Sequence, residues 1–211
     1  MQCKVIFIRH GKTKANLEHR YLGSTEQTLC MQGRKELEEI ETLVPELDYL
    51  YTSPLIRCIQ SCEILYPKHI YCIVERFREI DFGNFEMKNY AELNGNPQYQ
   101  KWLDSNGTIA FSNGESRQNF IERTYKGFQQ VLYEVEEKIK TENKNCFCPT
   151  IGIIAHGGTM MAIADKLMEG AYFSYQCKNG EGYAFSVERK KHKIKLLDTI
   201  EPLTWLDRRG I

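Results

Sequence analysis

The stretch Val5-Ile6-Phe7-Ile8-Arg9-His10-Gly11-Lys12-Thr13 places a histidine shortly after four consecutive apolar residues. A continuous apolar run, as opposed to an alternating one, is typical of a strand that is buried on both faces of a sheet. The same layout returns at Ile151-Gly152-Ile153-Ile154-Ala155-His156-Gly157-Gly158-Thr159, again with a threonine three residues past the histidine. The chain therefore predicts two similar buried strands, each followed directly by His-Gly.

The two histidines are expected to share one crevice, because ligands of open α/β sheets bind outside the carboxyl ends of the strands. The glycine after each histidine lets the backbone come close to a ligand, and Gly157-Gly158 opens a helix whose free N–H groups favour an anion. A single histidine at a strand end is more often a structural hydrogen-bonding group. Two matched ones, His10 and His156, with Arg9 beside the first, favour a catalytic pair.

Strand and helix patterns alternate along the chain around these two motifs. The strands are expected at residues 4–9, 48–52, 70–74 and 150–155, the helices at 33–44, 54–65, 116–140 and 158–168, and a final hairpin at 183–187 and 194–200. Such alternation predicts an α/β fold, a three-layer α/β/α sandwich with a mostly parallel central sheet.

The length of 211 residues is enough for one domain, so residues 1–211 are interpreted as a single domain. Residues 79–115 are rich in glycine and carry only short helical patterns, which indicates an elaborated insertion over one end of the sheet. Within it, residues 84–115 are predicted to form a cap-like segment above the crevice.

The charges balance, with 28 Lys+Arg against 28 Asp+Glu, so the chain lacks the basic excess of a nucleic-acid-binding protein. The basic residues at 189–193 are interpreted as a solvated turn, since no other basic surface extends them. No stretch approaches the roughly 20 apolar residues of a membrane span, and the apolar run at the N-terminus is too short for a signal peptide. We expect a soluble, cytoplasmic protein without nucleic-acid or membrane partners, either a monomer or a homodimer.

The eight cysteines are scattered, and we expect them to be reduced thiols. Cys58 and Cys62 stand four residues apart in a predicted helix, and Cys146-Phe147-Cys148 is a short C-x-C. Neither arrangement supplies the two close pairs, or the Cys/His set, that a zinc site requires. No metal site is predicted.

Two arginines lie where they could bind an oxyanion at the same sheet edge. Arg9 offers a planar fork of donors that suits phosphate oxygens, and Arg57 follows the second predicted strand near a helix start. The sequence lacks both the acidic clusters of magnesium-dependent phosphatases and the Gly-rich loop of a nucleoside-triphosphate site. A metal-free route remains, in which a neutral imidazole attacks phosphorus and a carboxylic acid protonates the leaving oxygen.

Five motifs in order along the chain resemble the histidine phosphatase superfamily, also called the phosphoglycerate mutase-like family. They are Arg9-His10-Gly11-x-Thr13-x-x-Asn16, Thr52-Ser53-Pro54-Leu55-x-Arg57, Arg78-Glu79-Ile80-Asp81-Phe82-Gly83, Gly114-Glu115-Ser116 and Ala155-His156-Gly157-Gly158. An isolated Arg-His-Gly is weak evidence, whereas five landmarks in the family's order are strong.

The resemblance implies a role for each matching residue. His10 would be the nucleophile, and Glu79 would protonate the leaving group and then activate water. By the same resemblance, Arg9, Asn16, Arg57 and His156 would bind the phosphoryl group. Gly157, at the helix start, and Gly23, Ser24 and Thr25, in the loop at 17–28 above the pocket, are further candidates for binding the phosphate or other parts of the substrate. The family needs no metal and, in its phosphatase branch, no cofactor.

The segment around Glu79 resembles the phosphatase branch, particularly the α-ribazole-phosphate phosphatases and broad-specificity small-molecule phosphatases. Phe85-Glu86-Met87 stands where that branch often has Trp-Glu-Gly, which bears on the cap and the substrate but not on the chemistry. The expected activity is hydrolysis of a small phosphomonoester, with α-ribazole 5′-phosphate as one candidate. Three alternatives stay open: a cofactor-dependent phosphoglycerate mutase, a protein phosphohistidine phosphatase, and a non-catalytic module that binds a phosphorylated ligand.

The aromatic residues of the two loop regions have two possible roles. They are Tyr21, Phe85, Tyr90, Tyr99, Trp102 and Phe111. They could stack on a substrate ring, or they could pin the insertion onto the rest of the domain, which is the more ordinary role.

Overall fold

A computed structural model describes residues 1–142, 148–168, 172–191 and 193–203. The strands are β1 (Gln2–Arg9), β2 (Tyr49–Thr52), β3 (Tyr71–Ile73), β4 (Thr150–Ala155), β5 (Gly182–Lys190), β6 (Lys193–Leu196) and β7 (Glu201–Pro202). The helices are α1 (Lys14–Leu17), α2 (Met31–Glu38), α3 (Ile56–Leu65), α4 (Tyr90–Leu93), α5 (Pro97–Asp104), α6 (Arg117–Thr141) and α7 (Gly157–Met168). Short 3₁₀ turns occupy Glu41–Leu43, Glu75–Phe77, Gly83–Phe85 and Tyr172–Tyr175.

The seven strands form one sheet, in the order β3-β2-β4-β1-β5-β6, with β7 paired to β5. Strands β1 to β4 run parallel to one another, while β5 pairs antiparallel with β1, β6 and β7. Helices α6 and α7 cover one face, and α2 and α3 cover the other. The expected three-layer α/β fold with a mostly parallel sheet is confirmed.

Strand β1 is buried on both faces, as its continuous apolar run predicts. Val5 and Phe7 pack with α6, whereas Ile6 and Ile8 belong to the cluster that contains α2 and α3. Successive side chains of a strand point to opposite faces, so an unbroken apolar run supplies both layers at once.

Helix α2 differs from the expected 33–44. The side chain of Cys30 accepts a hydrogen bond from the N–H of Gly33, so the helix begins at Met31. It ends at Glu38, where the N–H of Ile40 bonds to Leu37 O and the chain tightens into the 3₁₀ turn. The apolar periodicity continues past the helix because Leu43 and Val44 still pack on the same cluster.

The C-terminal hairpin is confirmed, with β5 longer and β6 shorter than expected. His192, at its predicted basic tip, lies outside the described residues, as do Cys146 and Phe147 of the C-x-C motif. Within the described residues, no helix is both long and apolar enough to cross a membrane.

The region 79–115 carries two short helices and the turn at Gly83–Phe85, and its being an insertion stays a prediction. Its apolar side chains form a third cluster that packs on Phe120 and Ile121 of α6 and on Ala162 of α7. The beginnings of α6 and α7 therefore anchor this segment beside the carboxyl ends of β1 and β4.

Candidate active site

The two matched motifs meet because β1 and β4 are neighbours in the sheet. Arg9 lies opposite Ala155 in the parallel register, and the N–H of His10 donates to Ala155 O at 3.0 Å. The rings of His10 and His156 approach edge to face, with centroids 5.1 Å apart and planes inclined by 65°. The structure thus brings the two histidines together at one edge of the sheet.

The hydrogen bond of His10 determines its tautomer. Its Nδ1 lies 2.7 Å from Gly11 O, and a carbonyl can only accept, so Nδ1 carries the proton and Nε2 keeps its lone pair. Burial, reinforced by the charges of Arg57 and Arg9, holds the pKa of His10 well below its ordinary value. The imidazole is therefore neutral near neutral pH, with an unprotonated Nε2.

His156 is the opposite tautomer. Arg57 Nε donates to His156 Nδ1 at 3.3 Å, so the proton lies on Nε2, which donates to Ser53 Oγ at 2.7 Å. Burial, followed by the charge of Arg57, keeps the pKa of His156 well below its ordinary value. Sequence reasoning treated Ser53 only as part of a motif, and its hydroxyl proves to be the partner of the second histidine.

Arg57 is completely buried at the start of α3. Besides His156, it donates from Nη1 to Thr25 O at 2.9 Å and from Nη2 to Gly23 O at 2.7 Å. Three of the five N–H groups of the guanidinium are used in this way, which leaves two for a ligand.

Arg9 reaches the site from the end of β1. Its Nη1 donates to Cys177 O at 2.8 Å, whereas its buried Nε has no hydrogen-bond partner among the described residues. The guanidinium packs against Gly157, and a Cβ added to that glycine would make an ordinary contact of 3.4 Å with Arg9 Cζ. An unpartnered buried N–H beside an open cleft suits an anionic ligand.

The side chain of Glu79 lies against the first residues of helix α7, and the residue is only 8% exposed. Its carboxylate accepts hydrogen bonds from the N–H groups of Ile80, at 2.9 Å, and of Gly158, at 3.0 Å. Burial raises the pKa of this carboxyl, although the two hydrogen bonds and the nearby arginines oppose the rise. In this structure the N–H of Gly158 is therefore already hydrogen-bonded to the protein's own Glu79.

Asn16 belongs to the capping box of α1. Its Oδ1 accepts from Thr13 N at 3.0 Å and from Asn179 Nδ2 at 3.3 Å, and the residue lines the cleft. Asn179 also donates to His10 O at 3.0 Å, so it braces the loop that carries the first histidine. No pattern in the sequence indicated Asn179, because it comes from a loop before β5.

The N–H groups of the loop at Gly23–Thr25 are hydrogen-bonded within the protein. The N–H groups of Gly23, Ser24 and Thr25 all donate to the carboxylate of Glu86. The carbonyls of the same loop bind Arg57, as described above. In this structure the loop therefore orients an arginine, and its direct contact with phosphate stays a prediction.

A cleft of about 340 Å³ opens above these groups. Arg9, Asn16, Glu79 and Gly157 line it, whereas the side chains of His10, Arg57 and His156 are almost completely buried. Its aromatic lining consists of Tyr21, Phe82, Trp102, Phe111, Tyr172 and Phe173.

The predicted aromatic residues divide between the two roles considered for them. Tyr21 and Trp102 reach the cleft, whereas Phe85 and Tyr99 are buried within the cluster that anchors the segment. Phe111 does both, because it touches the cleft and is a buried member of the same cluster. Tyr90 is 64% exposed and contacts the ring of Tyr99 edge to face.

The donor set of the site suits an oxyanion. Two arginines and two neutral histidines meet beside one buried carboxyl, and across the described residues no three or more His, Cys, Asp or Glu side chains are grouped so as to hold a metal ion. Fold and site together define an α/β phosphatase. The chain belongs to the histidine phosphatase superfamily (branch 1), whose family model matches residues 5–199.

Comparison with known proteins agrees with this family, and the relatives are named for several different activities. The adenosylcobalamin/alpha-ribazole phosphatase of Escherichia coli K12 is 22% identical over 201 residues, covering 91% of this chain and 94% of that protein. The probable phosphoglycerate mutase GpmB of Escherichia coli O1:K1 is 28% identical over 126 residues, covering 57% and 59%. The phosphoserine phosphatase of Entamoeba histolytica, solved with 3-phosphoglyceric acid, is 25% identical with a TM-score of 0.73, covering 97% and 99%.

Proposed function

We propose that this protein hydrolyses a small phosphomonoester, without a metal, through a phosphohistidine intermediate on His10. The observation that carries the proposal is the bond from His10 Nδ1 to Gly11 O, because it leaves Nε2 unprotonated beside two arginines. A neutral imidazole beside two arginines can act as a nucleophile toward a bound phosphoryl group.

In the first step, His10 Nε2 attacks phosphorus and the bond to the ester oxygen breaks. Arg9 and the two remaining N–H groups of Arg57 stabilise the phosphoryl oxygens, with Asn16 and the N–H of Gly157 as further donors and His156 completing the pocket. Glu79 transfers its proton to the leaving oxygen, so the alcohol departs neutral. The raised pKa of the Glu79 carboxyl favours the protonated form that this step requires.

In the second step, water attacks the phosphohistidine. Glu79, now a carboxylate, takes a proton from the water, and the bond between phosphorus and Nε2 breaks. Inorganic phosphate leaves, and both His10 and Glu79 return to their starting protonation states. Because Glu79 serves as acid and then as base, one buried carboxyl suffices for both halves of the reaction.

The aromatic lining supports a substrate whose alcohol carries a ring, and residues 84–115 are proposed to cap it. Trp102 and Phe111, from this segment, line the cleft together with Tyr172 and Phe173, and Phe173 is 53% exposed. Exposed ring faces in a cleft favour stacking with a planar ligand. α-Ribazole 5′-phosphate, which contains such a ring, remains the specific candidate.

The test is hydrolysis of p-nitrophenyl phosphate in the presence of EDTA. We expect metal-independent turnover that falls by at least about 10³-fold in His10→Ala. His19→Asn is the matched control, because His19 is exposed and its positive φ of 53° suits asparagine. Retained turnover in folded His10→Ala would overturn the nucleophile, and phosphate binding without turnover in the wild type would favour the non-catalytic module.

A further inference from the structure

The carboxylate of Glu86 lies among five hydrogen-bond donors. Its Oε1 accepts from the N–H groups of Phe82 and Ser24, both at 3.0 Å. Its Oε2 accepts from the N–H of Gly23 at 3.1 Å, and from the N–H and the hydroxyl of Thr25 at 3.4 and 2.7 Å. One side chain from the region 79–115 thus organises the whole Gly23–Thr25 loop.

The opposite side of this loop binds Arg57. Gly23 O accepts from Nη2 at 2.7 Å, and Gly23 O and the Ser24 N–H are the two ends of one peptide group. Glu86 and Arg57 are therefore hydrogen-bonded to opposite ends of a single amide. In a chain of this kind each hydrogen bond polarises the next, so the carboxylate strengthens the hold of the carbonyl on the guanidinium.

The close approach also explains the residue at position 23. A Cβ on Gly23 would overlap Ile80 O and Glu86 Oε1, so only glycine allows the carboxylate to reach the peptide group. The glycine and the glutamate therefore form one structural unit, although 63 positions separate them.

We propose that Glu86 is a positioning residue for phosphoryl binding, which acts by holding Arg57 through the peptide between Gly23 and Ser24. The proposal rests on the function proposed above, because it assigns phosphoryl binding to Arg57. It also gives the 79–115 region a second role, since the segment that lines the cleft sets the geometry of a buried arginine as well.

A carboxylate is required here because all five neighbours are donors. A glutamine at this position would keep one acceptor oxygen and would turn an NH₂ group toward two or more N–H or O–H groups. Buried donors left without an acceptor are costly, so the loop would relax away from Arg57. The guanidinium would then lose the two carbonyls that orient it.

The experiment is calorimetric binding of inorganic phosphate to the full chain. We expect Glu86→Gln to weaken phosphate binding by roughly tenfold. Asp81→Asn is the matched control, because Asp81 lies in the same turn and its carboxylate accepts from Gly83 N, not from the loop. That variant should bind phosphate as the wild type does.

A double-mutant cycle with Arg57→Ala separates positioning from a general structural effect. If Glu86 acts through Arg57, then Glu86→Gln causes no further loss of phosphate binding in the Arg57→Ala background. An equal loss in both backgrounds, or no loss in either, overturns the proposal. Wild-type protein that neither binds phosphate nor turns over an ester would remove the proposed function as well, which is a distinct result.

Thr25→Val serves as a milder second variant in case Glu86→Gln does not fold. It removes only the 2.7 Å bond from the Thr25 hydroxyl to Oε2 and keeps the shape of the side chain. We expect it to weaken phosphate binding roughly two- to fivefold, again only when Arg57 is present. Unchanged phosphate binding in Thr25→Val, with Glu86→Gln unfolded, would also count against the proposal.

Discussion

Glu79 Oε2 accepts a hydrogen bond from the N–H of Gly158 at 3.0 Å, which links the buried carboxyl to the residue two positions after the second histidine. The contact joins residues 79 positions apart in the chain. It determines where the proposed acid lies relative to His10 and His156, and it makes the geometry of the site sensitive to a single methyl group.

Gly158→Ala tests that geometry. A Cβ at this position would overlap Glu79 Oε1 and lie 3.0 Å from Cδ, so the carboxyl must move. We expect kcat for an alkyl phosphate to fall roughly 10²-fold. Gly157→Ala is the neighbouring control, since its Cβ makes only an ordinary 3.4 Å contact with Arg9, and comparable losses in both variants would contradict the prediction.

Glu79→Gln tests the acid directly, because the expected loss depends on the leaving group. An alkoxide needs the proton, so kcat for benzyl phosphate should fall about 10²- to 10⁴-fold. A nitrophenolate leaves without a proton. The rate of phosphoryl transfer from p-nitrophenyl phosphate to the enzyme should therefore fall by less than about tenfold. Steady-state and burst kinetics on both esters measure the difference. Glu75→Gln, at an exposed carboxylate of the adjacent turn, should change neither, and equal losses for the two esters would exclude this role for Glu79.

The two buried histidines predict loss of stability in acid. In the folded chain, the pKa values of His10 and His156 lie well below 6.5, whereas in the unfolded chain they return to about that value. Below pH 6.5 the unfolded chain therefore binds more protons, and the free energy of unfolding falls by up to about 1.4 kcal/mol per pH unit for each histidine. Above pH 6.5 this contribution to stability is complete.

Urea unfolding between pH 7.5 and 5 measures this effect. Below pH 6.5, the free energy of unfolding of folded His156→Gln should fall less steeply than that of the wild type, because one of the two buried histidines is absent. Exposed His19→Asn should keep the wild-type slope. Because Glu79 is present in all three proteins, its own titration cancels in the comparison. Identical slopes in the wild type and His156→Gln would show that His156 is not held neutral by burial.

The aromatic cleft predicts a preference for planar rings. Benzyl phosphate and cyclohexylmethyl phosphate present alcohols of the same connectivity and differ in the flatness and π-electrons of the ring. We expect kcat/KM to favour benzyl phosphate by roughly two- to tenfold, the range of one aromatic contact. Phe173→Leu keeps an apolar side chain and should reduce the preference for benzyl phosphate. Equal kcat/KM values for the two esters in the wild type would show that the aromatic residues of the cleft do not stack on the substrate.

Much of the site could be anticipated from the chain because its residues follow local signals. His10 and His156 come directly after apolar runs that are typical of buried strands, and parallel neighbours bring such ends together. Arg57 follows a strand and opens a helix in the same way. The long helix predicted at 116–140 is found at Arg117–Thr141, because its apolar stripe is continuous and Ser116 caps it.

Other contacts have no local signal. Asn179 donates to the backbone of His10, and Ser53 bonds to the ring of His156. Glu86 accepts hydrogen bonds from the Gly23–Thr25 loop. Each of these contacts joins residues far apart in sequence. A hydrogen bond between distant segments depends on how those segments pack, which periodicity and capping patterns do not encode. The same reason explains why the Gly23–Thr25 N–H groups turned out to face a carboxylate.

By itself, the sequence determined the layers of the fold and the family, and it predicted the reactive groups, because strand burial, helix periodicity and short motifs are properties of neighbouring residues. Only the tertiary structure decided the protonated nitrogen of each histidine, the burial that shifts the pKa values of His10 and Glu79, and the link from Glu86 to Arg57. These depend on partners and on exclusion from water, and both arise when distant parts of the chain pack together.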